Sequence, residues 1–507
     1  MQINVVRNAK RNVAFGVVNK VIITICLFVE RYGIRHILGA QYLGLESLFS
    51  SIIAVLSLSE LGFSSAIIYN MYKPAADGDI GKMNALLNFY KKVYAIIGVV
   101  IIIIGIILIP FLPKLIKGSY PTNINLIKIY FIYVINTALS YFPFAYLSSV
   151  LVVHQRDDVN SMLNSIIKLT LTAAQMIVLC LTKNYYRFLI LMPLFTLLNN
   201  LLMGWRVHSL FPQYNPNGNI SEDDKTLIKK LVTGSFIQQS CIVTRNSLDS
   251  VCVSAFLGLT LTAVYNNYFQ VMNGVVAFGS VVASSFAGGI GNHVVTRGSR
   301  ENYQEMKKLD FLYIWFAGWC MICMMCLYQP FMTLWMGRDM LLPMPAVLLF
   351  CVYYYMLKLG DIRTLYSSAN GLWWEQRYRA LFETVLNLVL NILLGKIFGI
   401  YGIIVATIIS LFLCNYLWAV GIVFRLYFSI GRRKDYYTYQ IKQSFIMFIV
   451  AAITYILCIE ISGDDAIHQL IVRGIICVVI PNVILYLIYR NTDYFKYALN
   501  GILARRD

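Results

Sequence analysis

The chain has 507 residues, 59% of them hydrophobic and only 13% charged, with a mean hydropathy of +0.67. No soluble domain of this length has so apolar a composition, so the sequence describes a protein that crosses a membrane many times. Its net charge of +18 is carried mainly by short loops between apolar runs, a topological placement that argues against nucleic acid as a partner.

Arg7, Lys10 and Arg11 precede the first apolar run. Lys20 interrupts that run and no small-residue cleavage site follows, so it reads as a retained helix. Fourteen apolar spans are expected, near 12–37, 43–71, 86–112, 124–152, 159–182, 186–208, 226–256, 261–290, 308–336, 344–368, 376–397, 400–427, 440–460 and 467–489. Between the sixth and seventh lies FPQYNPNGNISEDDK, rich in Pro, Asn, Gly and acid, which reads as a linker. With the N-terminus inside, most of the 42 Lys and Arg residues fall on the cytoplasmic side. The loop between the last two spans has Glu460, Asp464 and Asp465 and no base. Both termini are therefore expected in the cytoplasm, with Gly463 outside.

Landmarks recur at an offset of 219–220 residues: Leu38-Gly39 and Leu257-Gly258, Gly98 and Gly318, Pro110-Phe111 and Pro330-Phe331, Tyr146 with Ser148 and Tyr366 with Ser368. A nearly constant offset across several spans implies two six-span repeats in the same orientation. The expected organisation is a first lobe at 1–210, a cytoplasmic linker at 211–225, a second lobe at 226–430, and two further spans with a tail at 431–507. The fold class is all-α polytopic, with about 14 transmembrane helices and parallel repeats, an arrangement that places substrate sites at the repeat interface.

Charged residues inside apolar spans mark function or internal pairing. In the seventh span Gln238, Arg245 and Asp249 share a helical face, and Arg245 and Asp249 are close enough in sequence to pair. Lys20 and Arg31 lie along one stripe of the first span with Gly16 and Thr24, and Asn12 and Asn19 border it. The repeat equates Glu30 with Asp249 and Lys20 with Gln239. Glu60 lies deep in the second span beside Ser57 and Ser64. Asn266, Gln270 and Asn273 form a stripe in the eighth, and Lys358 and Asp361 are one turn apart in the tenth. Lys20, Arg31, Arg245, Asp249, Lys358 and Asp361 would together cost about 15–20 kcal/mol at mid-depth in lipid. A water-filled cavity removes most of that cost. A net-cationic, amide-rich cavity suits an anion that carries hydroxyls. The competing reading is structural: ion pairs such as Arg245–Asp249 that stitch helices together.

Other patterns carry less. Cys320, Cys323 and Cys326 have metal-ligand spacing, but they lie in an apolar span without a nearby His or acid and read as packing. The eleven cysteines all lie in or beside apolar runs and imply no disulfide framework. Ala287-Gly288-Gly289-Ile290-Gly291 lacks the Lys and Ser/Thr of a nucleotide-binding loop. No catalytic constellation is present, so the expectation is a protein that is not an enzyme and holds no metal or other cofactor.

Five stretches resemble the Wzx-type oligosaccharide flippases of the MOP superfamily, which also contains peptidoglycan-lipid flippases and MATE exporters. They are LGAQYLGLESLFSSI (38–52), ELGFSSAIIYNMYKP (60–74), DSVCVSAFLGLTLTAVYNNY (249–268), LYQPFMTLW (327–335) and ANGLWWEQRYRALFETVLNLVLNILLGKIFGIYGIIVAT (369–407). The resemblance implies a V-shaped, bilobed transporter of a bacterial plasma membrane. It would move undecaprenyl-diphosphate-linked oligosaccharide repeat units from the cytoplasmic to the outer leaflet by alternating access, supplying capsule, O-antigen or wall polysaccharide synthesis. Such proteins receive the diphosphate and sugars in a cationic central cavity, and Arg31, Arg245 and Asp249 match its charged positions in kind and depth. The implied partners are the lipid-linked oligosaccharide, the lipid bilayer and other polysaccharide-assembly membrane proteins. Coupling to an H+ or Na+ gradient is left open. Two alternatives stand beside this reading. A MATE-like antiporter for small cations would need a net-acidic pocket, and a membrane polymerase or ligase would need a large outer loop.

Overall fold

The computed structural model describes residues 5–60, 63–461, 463 and 465–497. A few side chains within helices, Gln238 among them, are outside what is described. Two compact units divide the chain, 1–263 and 264–507. The first contains α1 (Val5–Gly33), α2 (Ala40–Leu56), α3 (Phe63–Asp77), α4 (Ile80–Leu108), α5 (Leu126–Leu139), α6 (Ser148–Val153), α7 (Asp157–Thr182), α8 (Tyr185–Leu210), α9 (Glu222–Leu257) and the start of α10 (Leu259–Ser284). The second continues α10 and adds α11 (Ala287–Thr296), α12 (Ser299–Met336), α13 (Met344–Lys358), α14 (Asp361–Ala369), α15 (Arg377–Ser410), α16 (Ala419–Val423), α17 (Arg433–Ile461) and α18 (Ala466–Tyr489). Among the described residues there is no strand, and the all-α polytopic class stands.

Among the described residues, ten helical stretches are long and apolar enough to cross a membrane. One of them, Arg377–Phe428, spans 52 residues and breaks at Gly399, where φ is 57°, between the expected eleventh and twelfth spans. Ala40–Leu56 and Leu126–Leu139 are apolar but shorter, and α9, which carries Arg245 and Asp249, is not among the ten. Each expected span nevertheless coincides with a helix or a broken pair of helices.

In the first unit α1 lies along α7, and the contact is written in polar side chains at seven-residue spacing. Asn12 accepts from the Asp158 amide (3.0 Å) and Asn19 from Ser165 Oγ (2.9 Å), at the same sequence separation. Further along, Glu30 accepts from Thr172 (2.5 Å) and from Lys168 (2.7 and 2.8 Å). A period of seven keeps side chains on one seam of two near-parallel helices. Polar groups on that seam hold the helices together where lipid offers no hydrophobic drive. Helix α9 packs in the same unit against α2 and α3, and the absence of a side chain at Gly44 in α2 lets that helix approach the Leu259 carbonyl.

The repeat landmarks share local geometry. Gly39, between α1 and α2, has φ 112° and ψ 172°; Gly258, between α9 and α10, has φ 91° and ψ 173°. This backbone region is essentially closed to residues with a Cβ, so Leu-Gly marks the same chain reversal twice.

The second unit is organised on α12, which packs against α13, α17 and α18. Trp315 Nε1 donates to Asn482 (2.9 Å) and Trp319 Nε1 to the Cys477 carbonyl (2.8 Å), both on α18. Tyr439 of α17 donates to the Lys307 carbonyl of α12 (3.0 Å). Aromatic packing of Tyr303, Phe424, Phe428 and Tyr436 closes one end of this core.

Candidate functional site

The charged residues singled out in the sequence fall into separate surroundings. In the first unit Arg31 is 2% exposed, with its guanidinium 3.3 Å from Glu46 and 3.1 Å from Ser47 Oγ, both on α2. Glu60 ends the short 3-10 turn after α2 and accepts from Tyr94 (2.9 Å) and Tyr141 (2.8 Å), while Tyr90 donates to Tyr94 (2.8 Å). Tyrosines, rather than the Ser57 and Ser64 noted in the sequence, supply these bonds to its carboxylate. Arg245 and Asp249 are both buried on α9, and Arg245 Nε donates to Asn246 Oδ1 at 3.4 Å. Lys20 is exposed on α1, and the Gln238 side chain lies outside the described residues.

In the second unit Asn266 is buried on α10 and Gln270 is half-buried one turn on. Lys358 and Asp361 do meet, at 2.8 Å. Tyr313 donates to the same Asp361 oxygen (2.6 Å), and Lys358 also reaches Ser280 Oγ (3.2 Å). This tetrad joins α10, α12, α13 and α14 inside one unit.

Each unit also contains a cavity of about 440 Å³. That of the first unit is polar and lies among α4, α5, α7 and α8; Asn160, Asn164, Lys168, Thr196, Asn199 and Asn200 line it. An amide chain runs along its wall: Asn199 donates to Asn164 (3.2 Å), Asn164 to Asn160 (3.2 Å) and Asn160 to Asp157 (3.1 Å). Asn200 donates to the carbonyls of Leu139 and Phe142, fixing the turn after α5. Asn199 Oδ1 is buried without a hydrogen-bond partner among the described residues. The amide and hydroxyl groups lining this polar cavity suit hydroxyl or amide groups of a ligand. Lys168 adds one cation, already paired with Glu30.

None of these cavity residues was singled out in the sequence. The available signal was Asn160, Asn164 and Lys168 at four-residue spacing, one face of α7. The second unit's cavity is apolar, lined by Val271, Val275, Phe278, Met324, Phe331 and Leu470. It suits a hydrocarbon chain.

Outside the spans, burial pushes the His154 imidazole below its usual value; its ring shares a hydrogen bond with Tyr214 Oη (3.1 Å) and packs tilted against Phe211. Hydrogen bonds from Tyr303 (2.6 Å) and Lys307 (3.0 Å) hold the Asp435 carboxyl below the ordinary carboxylate range.

No family model matches the sequence, and no curated protein matches it. Solved structures do. The chain is similar to the lipid II flippase MurJ in an inward closed conformation, with a TM-score of 0.70 and 14% identity over 94% of this chain and 99% of that one. An inward-facing multidrug resistance MATE family transporter of the MOP superfamily aligns with a TM-score of 0.57 and 14% identity, over 79% of this chain and 94% of that one. A MOP superfamily transporter from Pyrococcus furiosus aligns with a TM-score of 0.51 and 14% identity, over 84% and 96%. The chain therefore has the fold shared by these flippases and transporters.

Proposed function

We propose that the protein is a flippase that moves undecaprenyl-diphosphate-linked oligosaccharide repeat units from the cytoplasmic to the outer leaflet of a bacterial plasma membrane. The observation that carries this reading is the extent of the likeness to the lipid II flippase. That alignment leaves 6% of the chain unmatched, too little to hold α17 and α18 together, whereas the MATE alignment leaves 21%. Two further observations support it. A cavity lined by amide and hydroxyl side chains and Lys168 offers donors and acceptors to a glycan, and an apolar cavity in the other unit offers a place for an isoprenoid chain.

Arg245 is the proposed contact for the diphosphate, because a guanidinium matches phosphate oxygens with a planar fork of donors. Lys20, Gln238, Asp249, Asn266 and Gln270 complete the proposed substrate path. Arg31, Glu60, Lys358 and Asp361, which are held by partners within their own units, position that path. Residues 1–210 and 226–430 are the two repeats, joined by the 211–225 linker, with both termini cytoplasmic and Gly463 outside. The protein works beside the membrane enzymes that assemble and polymerise the glycan. The test is deletion of the gene followed by analysis of lipid extracts: a lipid-linked glycan should accumulate in the inner leaflet. An unchanged lipid-linked pool, with loss of export of a small cation, would favour the antiporter instead.

A further inference from the structure

Three buried cysteines from three helices meet inside the second unit: Cys326 on α12, Cys458 on α17 and Cys477 on α18, each 1% exposed or less. Their sulfur atoms all lie within 4.8 Å of one another. A fourth thiol, Cys323, one turn before Cys326, contacts that of Cys477. The spacing 320-323-326 reads as packing by itself, and only the fold brings in Cys458 and Cys477.

We propose that Cys326, Cys458 and Cys477 form a thiolate site for a metal ion, with zinc as the best fit and Cys323 within reach as a fourth ligand. This inference is independent of the flippase reading. Soft thiolates select zinc or cuprous ion over hard cations. Zinc–sulfur bonds of about 2.3 Å place tetrahedral sulfurs about 3.8 Å apart, so a contraction of no more than about 1 Å closes the site. Charge favours the divalent ion. Three thiolates and Zn2+ leave one negative charge, and Arg473, one turn before Cys477, directs its guanidinium to the Cys326 carbonyl at 3.4 Å. With that cation a three-thiolate zinc group is neutral, the favoured state for a buried cluster in an apolar setting, and Cys323 binding as a fourth thiolate would leave one negative charge; a cuprous ion would leave one more negative charge in either case. Each ligand loses its proton on binding and no redox change is involved.

The site's role follows from where it lies. Helices α17 and α18 have no counterpart in the repeat, and the three sulfurs join both of them to α12. The metal is a clamp for the appended pair, in the manner of closed structural zinc sites.

The test uses the full-length protein purified under reducing conditions and incubated with zinc chloride, then desalted. Elemental analysis should give about one zinc per chain, and Cys458→Ser or Cys477→Ser should lower that about tenfold, while Cys180→Ser, an exposed cysteine elsewhere, leaves it unchanged. A second measurement needs no variant. Cadmium added to the wild-type protein should produce a thiolate charge-transfer band, and a strong chelator should abolish it and raise the number of thiols open to alkylation. Background zinc in the wild type with no cadmium band would overturn the proposal in favour of packing. A Cys326–Cys458 or Cys326–Cys477 disulfide recovered after purification without reductant, with no metal bound under either condition, would overturn it in favour of a redox bond.

Discussion

Replacing Asp361 by Asn removes one charge from the Lys358 tetrad and little else, since the amide oxygen can still accept from Tyr313. Lys358 is 4% exposed, and its ammonium would be left with the Ser280 hydroxyl at 3.2 Å. At an effective dielectric of about 20, a pair at this separation attracts by roughly 6 kcal/mol, which is partly offset by the cost of keeping both charges from water. Removing one partner of such a pair typically costs about 3–5 kcal/mol. Asp361→Asn should therefore lower the unfolding free energy by about that amount, measured by equilibrium unfolding in mixed micelles. Lys358→Met should cost less, because Asp361 is more exposed and keeps its bond from Tyr313. The double variant should recover to within about 1–2 kcal/mol of the wild type, a coupling of about 2 kcal/mol or more. Additive single effects, or an Asp361→Asn variant as stable as the wild type, would refute a buried internal pair.

Gly258→Ala should destabilise by about 1–3 kcal/mol, because alanine is strained at φ 91° and its Cβ would press on the Lys117 carbonyl; Gly39→Ala, strained at φ 112° but with open space around its Cβ, should destabilise through strain alone and by less, and thermal unfolding of both variants checks the order. Arg245→Lys should lower glycan export with normal expression, and Arg245→Ala should lower it further without rescue by Asp249→Ala; an active double variant would make Arg245 a structural pin. His154 is held below the usual histidine value, so the neutral ring's contribution is complete above about pH 6.5 and is lost as the pH falls toward the lowered folded value. The thermal midpoint of the wild type should drop between about pH 7.5 and about pH 5.5 by more than that of His154→Gln, and equal drops would remove His154 as the cause.

Most spans were legible because membrane helices satisfy their own backbone, so length and hydropathy locate them without knowledge of neighbours; the second, fourth and seventh are the exceptions, two resting on shorter apolar helices and one on the polar α9. Even the break between the eleventh and twelfth spans could be placed, and Gly399 makes it. What the sequence could not supply was which helices touch. Asn12 and Asn19 read as the edge of a cationic stripe, yet they meet Asp158 and Ser165 at a separation of 146 residues, and one sequence holds no signal linking those positions. In sequence Glu60 stands beside Ser57 and Ser64, whereas its partners Tyr94 and Tyr141 arrive from α4 and from the turn after α5. The amide-lined cavity was missed for a related reason. Asparagines are read singly as satisfied interior contacts, and four of them line one cavity only when α7 and α8 pack side by side.

The most direct test of the central claim is translocation by the purified protein in liposomes. Undecaprenyl-diphosphate-linked oligosaccharide is placed in one leaflet, and its exposure is followed with a glycosidase or lectin that cannot cross the membrane. The account expects wild-type liposomes to equalise the lipid between leaflets far faster than protein-free ones, with Arg245→Ala close to the protein-free rate. Equal rates in the presence and absence of the wild-type protein, under an imposed H+ or Na+ gradient of either sign, would contradict it.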